Sequence, residues 1–215
     1  MESVKGGFPT TPFKRICVFT GSSPGKSPEY VKCAEALGEA LVKRNIGLVY
    51  GGGSVGLMGA LANTVAKGLG HDGVVGVIPE GLCSTEISGA MVGETRVVKN
   101  MHKRKELMAE LADAFVVLPG GFGTLEEMLE VVTWHQLGYH RKPIGVLNVG
   151  GFYDSLLGFF DHLVQEGFVQ DASRKIVVQA EAPNALLDLL RDYQVSSDLP
   201  VVVTSEQSSG GDTSV

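Results

Sequence analysis

Pro119-Gly120-Gly121-Phe122-Gly123-Thr124-Leu125-Glu126-Glu127, with an apolar run before it at 114–118 and a helical pattern after it to 137, reads as a buried strand, a glycine turn and a helix start. Gly120, Gly121 and Gly123 permit a sharp bend and a close approach of backbone to ligand. Thr124 is placed to cap a helix that begins at Leu125. The open N–H groups of such a helix start favour a phosphate or another anion. Glu126 and Glu127 follow within one turn, where they would repel that anion. Two readings stand: the carboxylates complement the helix dipole, or one of them does chemistry beside a bound phosphate.

Outward from this stretch, apolar runs alternate with helical patterns. Strands are expected at 16–19, 48–50, 74–78, 114–118, 144–149 and 176–178, and helices at 28–44, 57–67, 103–112, 125–137, 153–166 and 184–193. Short continuous runs rich in Val and Ile suit strands covered on both faces. The alternation predicts an α/β fold: a Rossmann-like, doubly wound parallel sheet with helices on both faces and ligands at the carboxyl ends of the strands. Residues 14–194 are expected to form a single domain. A flexible arm at 1–13 and a polar, disordered tail at 195–215 would flank it.

With 44% hydrophobic and 20% charged residues among 215, the chain has the composition of a soluble globular protein. No apolar stretch has transmembrane length and the N-terminus lacks a signal-peptide core, so no membrane association is expected. The cytosol is the expected compartment, with the nucleus a second one. Cys17, Cys33 and Cys83 are odd in number and lack His at metal-ligand spacing, which signals neither a disulfide framework nor a metal site. A formal charge of -6 argues against nucleic acid as a partner while leaving room for a basic pocket for one small anion.

Two further glycine turns fall at predicted strand ends. Gly21-Ser22-Ser23-Pro24-Gly25-Lys26-Ser27 has three residues between its glycines where a P-loop needs four, which excludes a nucleoside-triphosphatase reading. Gly21, Ser22 and Ser23 remain candidate donors to a phosphate or ribose, against the alternative of a plain turn. Gly51-Gly52-Gly53-Ser54-Val55-Gly56 contains GxGxxG, but it follows the second strand and no acidic residue ends the next one, so phosphate or ribose binding is favoured over a nicotinamide cofactor. Met101-His102-Lys103-Arg104-Lys105 sets four potential cations in a row. At helical spacing one or two of them can face a cleft, and the planar fork of Arg104 suits phosphate, ribose or carboxylate. His71, His135, His140 and His162 read as structural or surface residues, and Trp134 as core.

Together these motifs resemble the Lonely guy family of cytokinin riboside 5'-monophosphate phosphoribohydrolases, plant type. PGGFGTLEE matches the signature PGGxGTxxE, and KRICVFTGSS, IGLVYGGGSVGLMG, VVGVIPEGL, MHKRK, EVVTWHQLG and KPIGVLNVGGFYDSL extend the likeness from about residue 14 to 193. The loop GLGHDG is longer than in typical plant members, a change expected at the surface. The resemblance implies hydrolysis of the N-glycosidic bond of N6-substituted adenosine 5'-monophosphates, with no cofactor and no metal, by a homodimer. It implies Arg104 and Glu127 as catalytic residues. Substrate contacts would come from Glu86, Arg104, Lys105, the turn Gly121, Phe122, Gly123, Thr124, Leu125, Glu126, Glu127, and Thr133. Phosphate or ribose would be held at Gly21, Ser22, Ser23, Gly51, Gly52, Gly53 and Gly120. Members are often labelled lysine decarboxylases, but no lysine here is marked for pyridoxal phosphate. The rival readings are a non-catalytic nucleotide carrier or sensor and, more weakly, a NAD-dependent oxidoreductase.

Overall fold

Strands β1 (Arg15–Phe19), β2 (Gly47–Tyr50), β3 (Val74–Pro79), β4 (Glu94–Val98), β5 (Ala114–Val117), β6 (Ile144–Leu147) and β7 (Val177–Ala180) pair in parallel in the order β4-β3-β2-β1-β5-β6-β7. The computed structural model describes residues 13–83 and 91–199. The expected α/β, Rossmann-like sheet is the one observed. Its central strands are buried along almost their whole length, which is why they read as unbroken apolar runs.

Between the strands run helices α1 (Pro28–Lys43), α2 (Gly56–Leu69), α3 (Met101–Leu111), α4 (Phe122–Leu137), α5 (Asp154–Gln165), α6 (Asp171–Arg174) and α7 (Pro183–Arg191). Because side chains alternate across a strand, β1 divides its residues between two cores. Ile16 and Val18 pack with Leu48 and Val116 under α1, α2 and α7. Cys17 and Phe19 pack with Val49, Phe115 and Val117 against α3, α4 and α5. From β1 the order runs outward to β2, β3 and β4 on one side and to β5, β6 and β7 on the other. The switch between β1 and β5 opens a crevice at their carboxyl ends, where the first and third glycine turns lie.

Three local features depart from the sequence reading. β4, ETRVV, was not expected: it is a half-exposed edge strand in which Arg96 Nε donates to Glu94 Oε1 at 2.8 Å. Charged side chains protect such an edge from pairing with other chains, and they also break the apolar pattern by which strands are recognised. Helix α4 begins at Phe122 rather than Leu125, so Thr124 is not its cap; Gly121 holds that position and supplies no side-chain bond. Thr124 is instead buried inside the first turn. Leu199, within the segment expected to be a disordered tail, is 6% exposed and packs into the α3–α5 core. The long loop after α2 is a surface turn centred on His71–Gly73, as expected. No helix among the described residues is long and apolar enough to cross a membrane.

His135, at the end of α4, is fully buried, with Nε2 3.3 Å from the Tyr193 hydroxyl and its ring edge-on to His140. His140 accepts from the Lys142 backbone N–H at Nδ1 and lies 3.0 Å from the Val131 carbonyl at Nε2, an arrangement that suits neutral imidazole. Burial, with Arg141 adding to it for His135 and His135 for His140, holds both rings down at about 4. The unfolded chain takes up these protons near pH 6.5, so their contribution is fully present above that pH and is lost as pH falls towards 4. Chemical denaturation should show stability dropping by on the order of 3 kcal/mol for each ring across this window, and His135→Leu should remove about half of the drop. An unchanged pH dependence in that variant would exclude His135 as the source.

Candidate active site

The β1 and β5 turns are stitched together by backbone. Gly21 N donates to Pro119 O at 3.1 Å, Leu118 N to Phe19 O at 2.9 Å, and the Thr20 hydroxyl to Pro119 O at 3.4 Å. From below, the buried Tyr153 hydroxyl donates to Leu118 O at 2.7 Å. Gly120 leaves no room for a side chain, since a Cβ would stand 2.1 Å from Thr124 Oγ1. The Gly51–Gly56 turn after β2 meets the others through Arg104 of α3, whose Nη2 donates to Gly51 O at 3.1 Å. A Cβ on Gly51 would lie 2.1 Å from that nitrogen. The glycines at 51 and 120 are therefore required by close approach within the folded chain.

These turns surround a cleft of about 410 Å³. Arg104 and Glu127, 6% and 8% exposed, both line it. Burial pushes the thiol of Cys17 in β1 well above its usual range, Glu127 adds to that rise and Arg104 opposes it. The first turn of α4 also opens here, with Gly121, Phe122, Gly123 and Thr124 along the wall. Helices α1 and α3 are capped by Ser27 and Asn100, whereas α2 and α4, which begin beside the cleft, have no side-chain cap. Uncapped helix starts leave amide donors for an anion.

Gly21, Ser22 and Gly51 complete the expected polar lining. Other expected residues lie elsewhere in this chain. Ser23 is exposed outside the cleft, while Gly52, Gly53 and Gly120 form the turns behind it. Leu125 packs into the core. Lys105 is buried between Glu126 and Glu130, and Thr133 lies exposed on α4 with its hydroxyl bonded to Leu129 O at 2.8 Å. Glu86 is outside the described residues. The sequence reading missed an apolar wall made by Met58, Leu82 and Met101. Met58 lies in the first turn of α2 and Met101 begins α3, and nothing in the sequence distinguished them from surface or core methionines.

A parallel sheet with a cleft at its topological switch, lined by a buried arginine and a buried glutamate, defines a Rossmann-like α/β protein with a candidate ligand site at its strand ends. Residues 58–190 match the family model described as possible lysine decarboxylase. The chain is 55% identical over 186 residues, 86% of its length and 85% of the relative's, to cytokinin riboside 5'-monophosphate phosphoribohydrolase LOG7 of Arabidopsis thaliana. It is 52% identical over 181 residues to the LOG phosphoribohydrolase of Oryza sativa, covering 84% and 74% of the two chains. The chain belongs to the Lonely guy family. The molybdenum cofactor carrier protein of Chlamydomonas reinhardtii shares the fold, with a TM-score of 0.62 at 21% identity over 83% of this chain and 96% of that one. The molybdenum cofactor binding protein of Rippkaea orientalis does so at 0.60 and 24%, over 83% and 95%. Pyridoxal phosphate, which the decarboxylase description implies, needs a Schiff-base lysine, and no lysine lines the cleft among the described residues.

Gly121 and Gly123 differ from Gly51 and Gly120 in that a Cβ on either meets nothing within 4 Å. Gly123→Ala should therefore fold, and gain up to about 1 kcal/mol from helix propensity, yet weaken ligand binding by putting a methyl into the cleft. Gly51→Ala should displace the Arg104 guanidinium and abolish turnover. Thermal midpoints beside steady-state kinetics check both, and unaltered kinetics in Gly123→Ala would show that the ligand does not approach that backbone.

Proposed function

We propose that this chain hydrolyses the N-glycosidic bond of N6-substituted adenosine 5'-monophosphates, the cytokinin nucleotides, to the free base and ribose 5-phosphate. What carries the reading is one pairing: a buried guanidinium and a buried carboxylate line the same cleft at the uncapped start of α4, in a chain about half identical to named phosphoribohydrolases. The carrier reading has only the shared fold behind it.

Breaking the ribosyl C–N bond sends its electron pair to the base and builds positive charge on the sugar, while water oxygen bonds to C1' and the water's proton ends on the base. We assign Glu127 to stabilising that cation and activating the water, because a desolvated carboxylate acts more strongly than a solvated one. Arg104 orients the nucleotide. The amides of the α2 and α4 starts, with Gly21 and Ser22, receive the 5'-phosphate, and Met58, Leu82 and Met101 suit the apolar N6 substituent. Phosphate binding remote from the scissile bond is turned into orientation at C1'. The reaction draws on no cofactor or metal, and the cytosol is its proposed location.

The proposed assembly is a homodimer. Phe122, Leu129 and Leu137 are 93%, 43% and 58% exposed and, with Thr133, lie down one stripe of α4 that is apolar except for Thr133 and for Glu126 between Phe122 and Leu129. An apolar stripe of this kind suits a partner surface. It also accounts for Thr133, which points away from its own cleft and would face the partner's. Light scattering should give a dimer at micromolar concentration that Leu129→Glu dissociates; a wild-type monomer there would overturn the assembly.

Incubation with isopentenyladenosine monophosphate and chromatography for free base tests the activity directly, and binding without release would favour a carrier. The riboside without its phosphate should be a poor substrate. Glu127→Gln keeps the shape of the side chain and removes its charge, so turnover should fall by about 10² or more, equivalent to about 3 kcal/mol, with little change in substrate affinity. Glu126→Gln, 100° round the helix, should lose less than about tenfold. A folded Glu127→Gln enzyme with near-normal turnover would sink the mechanism.

A further inference from the structure

Glu126 and Glu130 are one turn apart on the same face of α4, a like-charge pairing that destabilises a helix unless a cation lies between the two. The cation comes from the neighbouring helix. Lys105 Nζ of α3 pairs with Glu126 Oε1 and lies 3.1 Å from Glu130 Oε2. The lysine side chain is 8% exposed and that of Glu130 23%, against 54% for Glu126, so Lys105–Glu130 is the more desolvated arm. Burial works against the charge on Lys105, and the pairing with Glu126 and Glu130 outweighs it and holds its pKa up. The ammonium is committed to this site and does not line the cleft.

The residues beside this triad are those of the cleft. Arg104 precedes Lys105 on α3, and Glu127 follows Glu126 on α4. Successive helical residues diverge by about 100°, so fixing the phase of one fixes the other. If α3 turned about its axis, the Arg104 fork would leave Gly51 O; if α4 turned, the Glu127 carboxylate would swing away from the sugar. Met108, Met128 and Val131 enter the same apolar core beneath the two helices, and apolar burial is not directional. Glu130 Oε2 is buried and makes no hydrogen bond among the described residues, so its charge is compensated by the Lys105 ammonium 3.1 Å away, which ties one face of α3 to one face of α4.

We propose that Glu130 is a positioning residue for the glycosidic cleavage, acting through Lys105 to lock the rotational phase of α3 against α4 and so the aim of Arg104 and Glu127. This rests on the hydrolytic reading of the cleft. Loss of the Glu130 charge leaves Lys105 dependent on the more exposed Glu126 and loosens the pair without touching substrate.

The test is steady-state hydrolysis of isopentenyladenosine monophosphate by wild type, Glu130→Gln, Lys105→Met and the double variant, with thermal midpoints for each. Base release by wild type establishes the hydrolytic reading independently, so failure of that reading and failure of the clamp are separable. Glu130→Gln is expected to lose about tenfold or more in kcat with KM within about threefold, as for a misaligned rather than weakened site. Lys105→Met should match it, and the double variant should be no worse than either single one, because all three break the same link. The double variant is charge-compensated and supplies the measurement should Glu130→Gln fail to fold. Wild-type kcat in folded Glu130→Gln or in the double variant would overturn the proposal. So would a large rise in KM confined to Lys105→Met, which would make the lysine a direct substrate ligand.

Discussion

The site depends on backbone approaching backbone where the carboxyl ends of β1, β2 and β5 meet. Gly21 bonds to Pro119, Gly120 sits against Thr124, and Gly51 receives Arg104 at a distance that excludes even one methyl group. A parallel sheet delivers its strand ends to one edge, and helices leave from the same edge with their positive ends towards the gap. Only glycine lets the turns close far enough to join one cleft. Helices α2 and α4 begin beside this cleft without a side-chain cap.

Burying charge in such a place is costly unless each ion has a partner. On the cleft side Arg104, bonded to Gly51 O, and Glu127 line the same pocket, and on the side between the helices Lys105 sits between two carboxylates. Helix α4 thus serves four surroundings at once. Glu127 faces the cleft, Glu126 and Glu130 face α3, Met128 and Val131 enter the core, and Leu129 and Leu137 remain outside. That division explains why α4 shows little single-faced amphipathic pattern although it is the helix on which the site is built.

Much of this was legible beforehand, for identifiable reasons. Strands covered on both faces leave continuous apolar runs, so every central strand was expected close to its observed place, and glycine turns announce themselves wherever the chain must bend sharply. β4 escaped because an edge strand carries charges that look like loop. Thr124 misled because a threonine before Leu-Glu-Glu has the spacing of a cap, whereas Gly121 starts the helix and Thr124 is needed as a buried wall behind Gly120. Met58, Leu82 and Met101 gave no warning of an apolar wall, since an exposed methionine and a cleft methionine are the same letter.

By itself the sequence determined the alternation of strand and helix, the parallel sheet, the three glycine turns at strand ends and, by resemblance, the family and its reaction. It did so because these are local: a run of β-branched residues, a glycine at a bend and a motif of nine residues are each complete within a short span. Residue patterns left open which of two neighbouring carboxylates and which of four neighbouring cations faces a cleft, and only the resemblance pointed to Glu127 and Arg104; the tertiary structure placed both in the cleft and showed that Lys105 lies outside it, between two carboxylates of α4. Those choices depend on the rotational phase of one helix against another. That phase is set by packing between segments about twenty residues apart, which no single stretch of sequence contains.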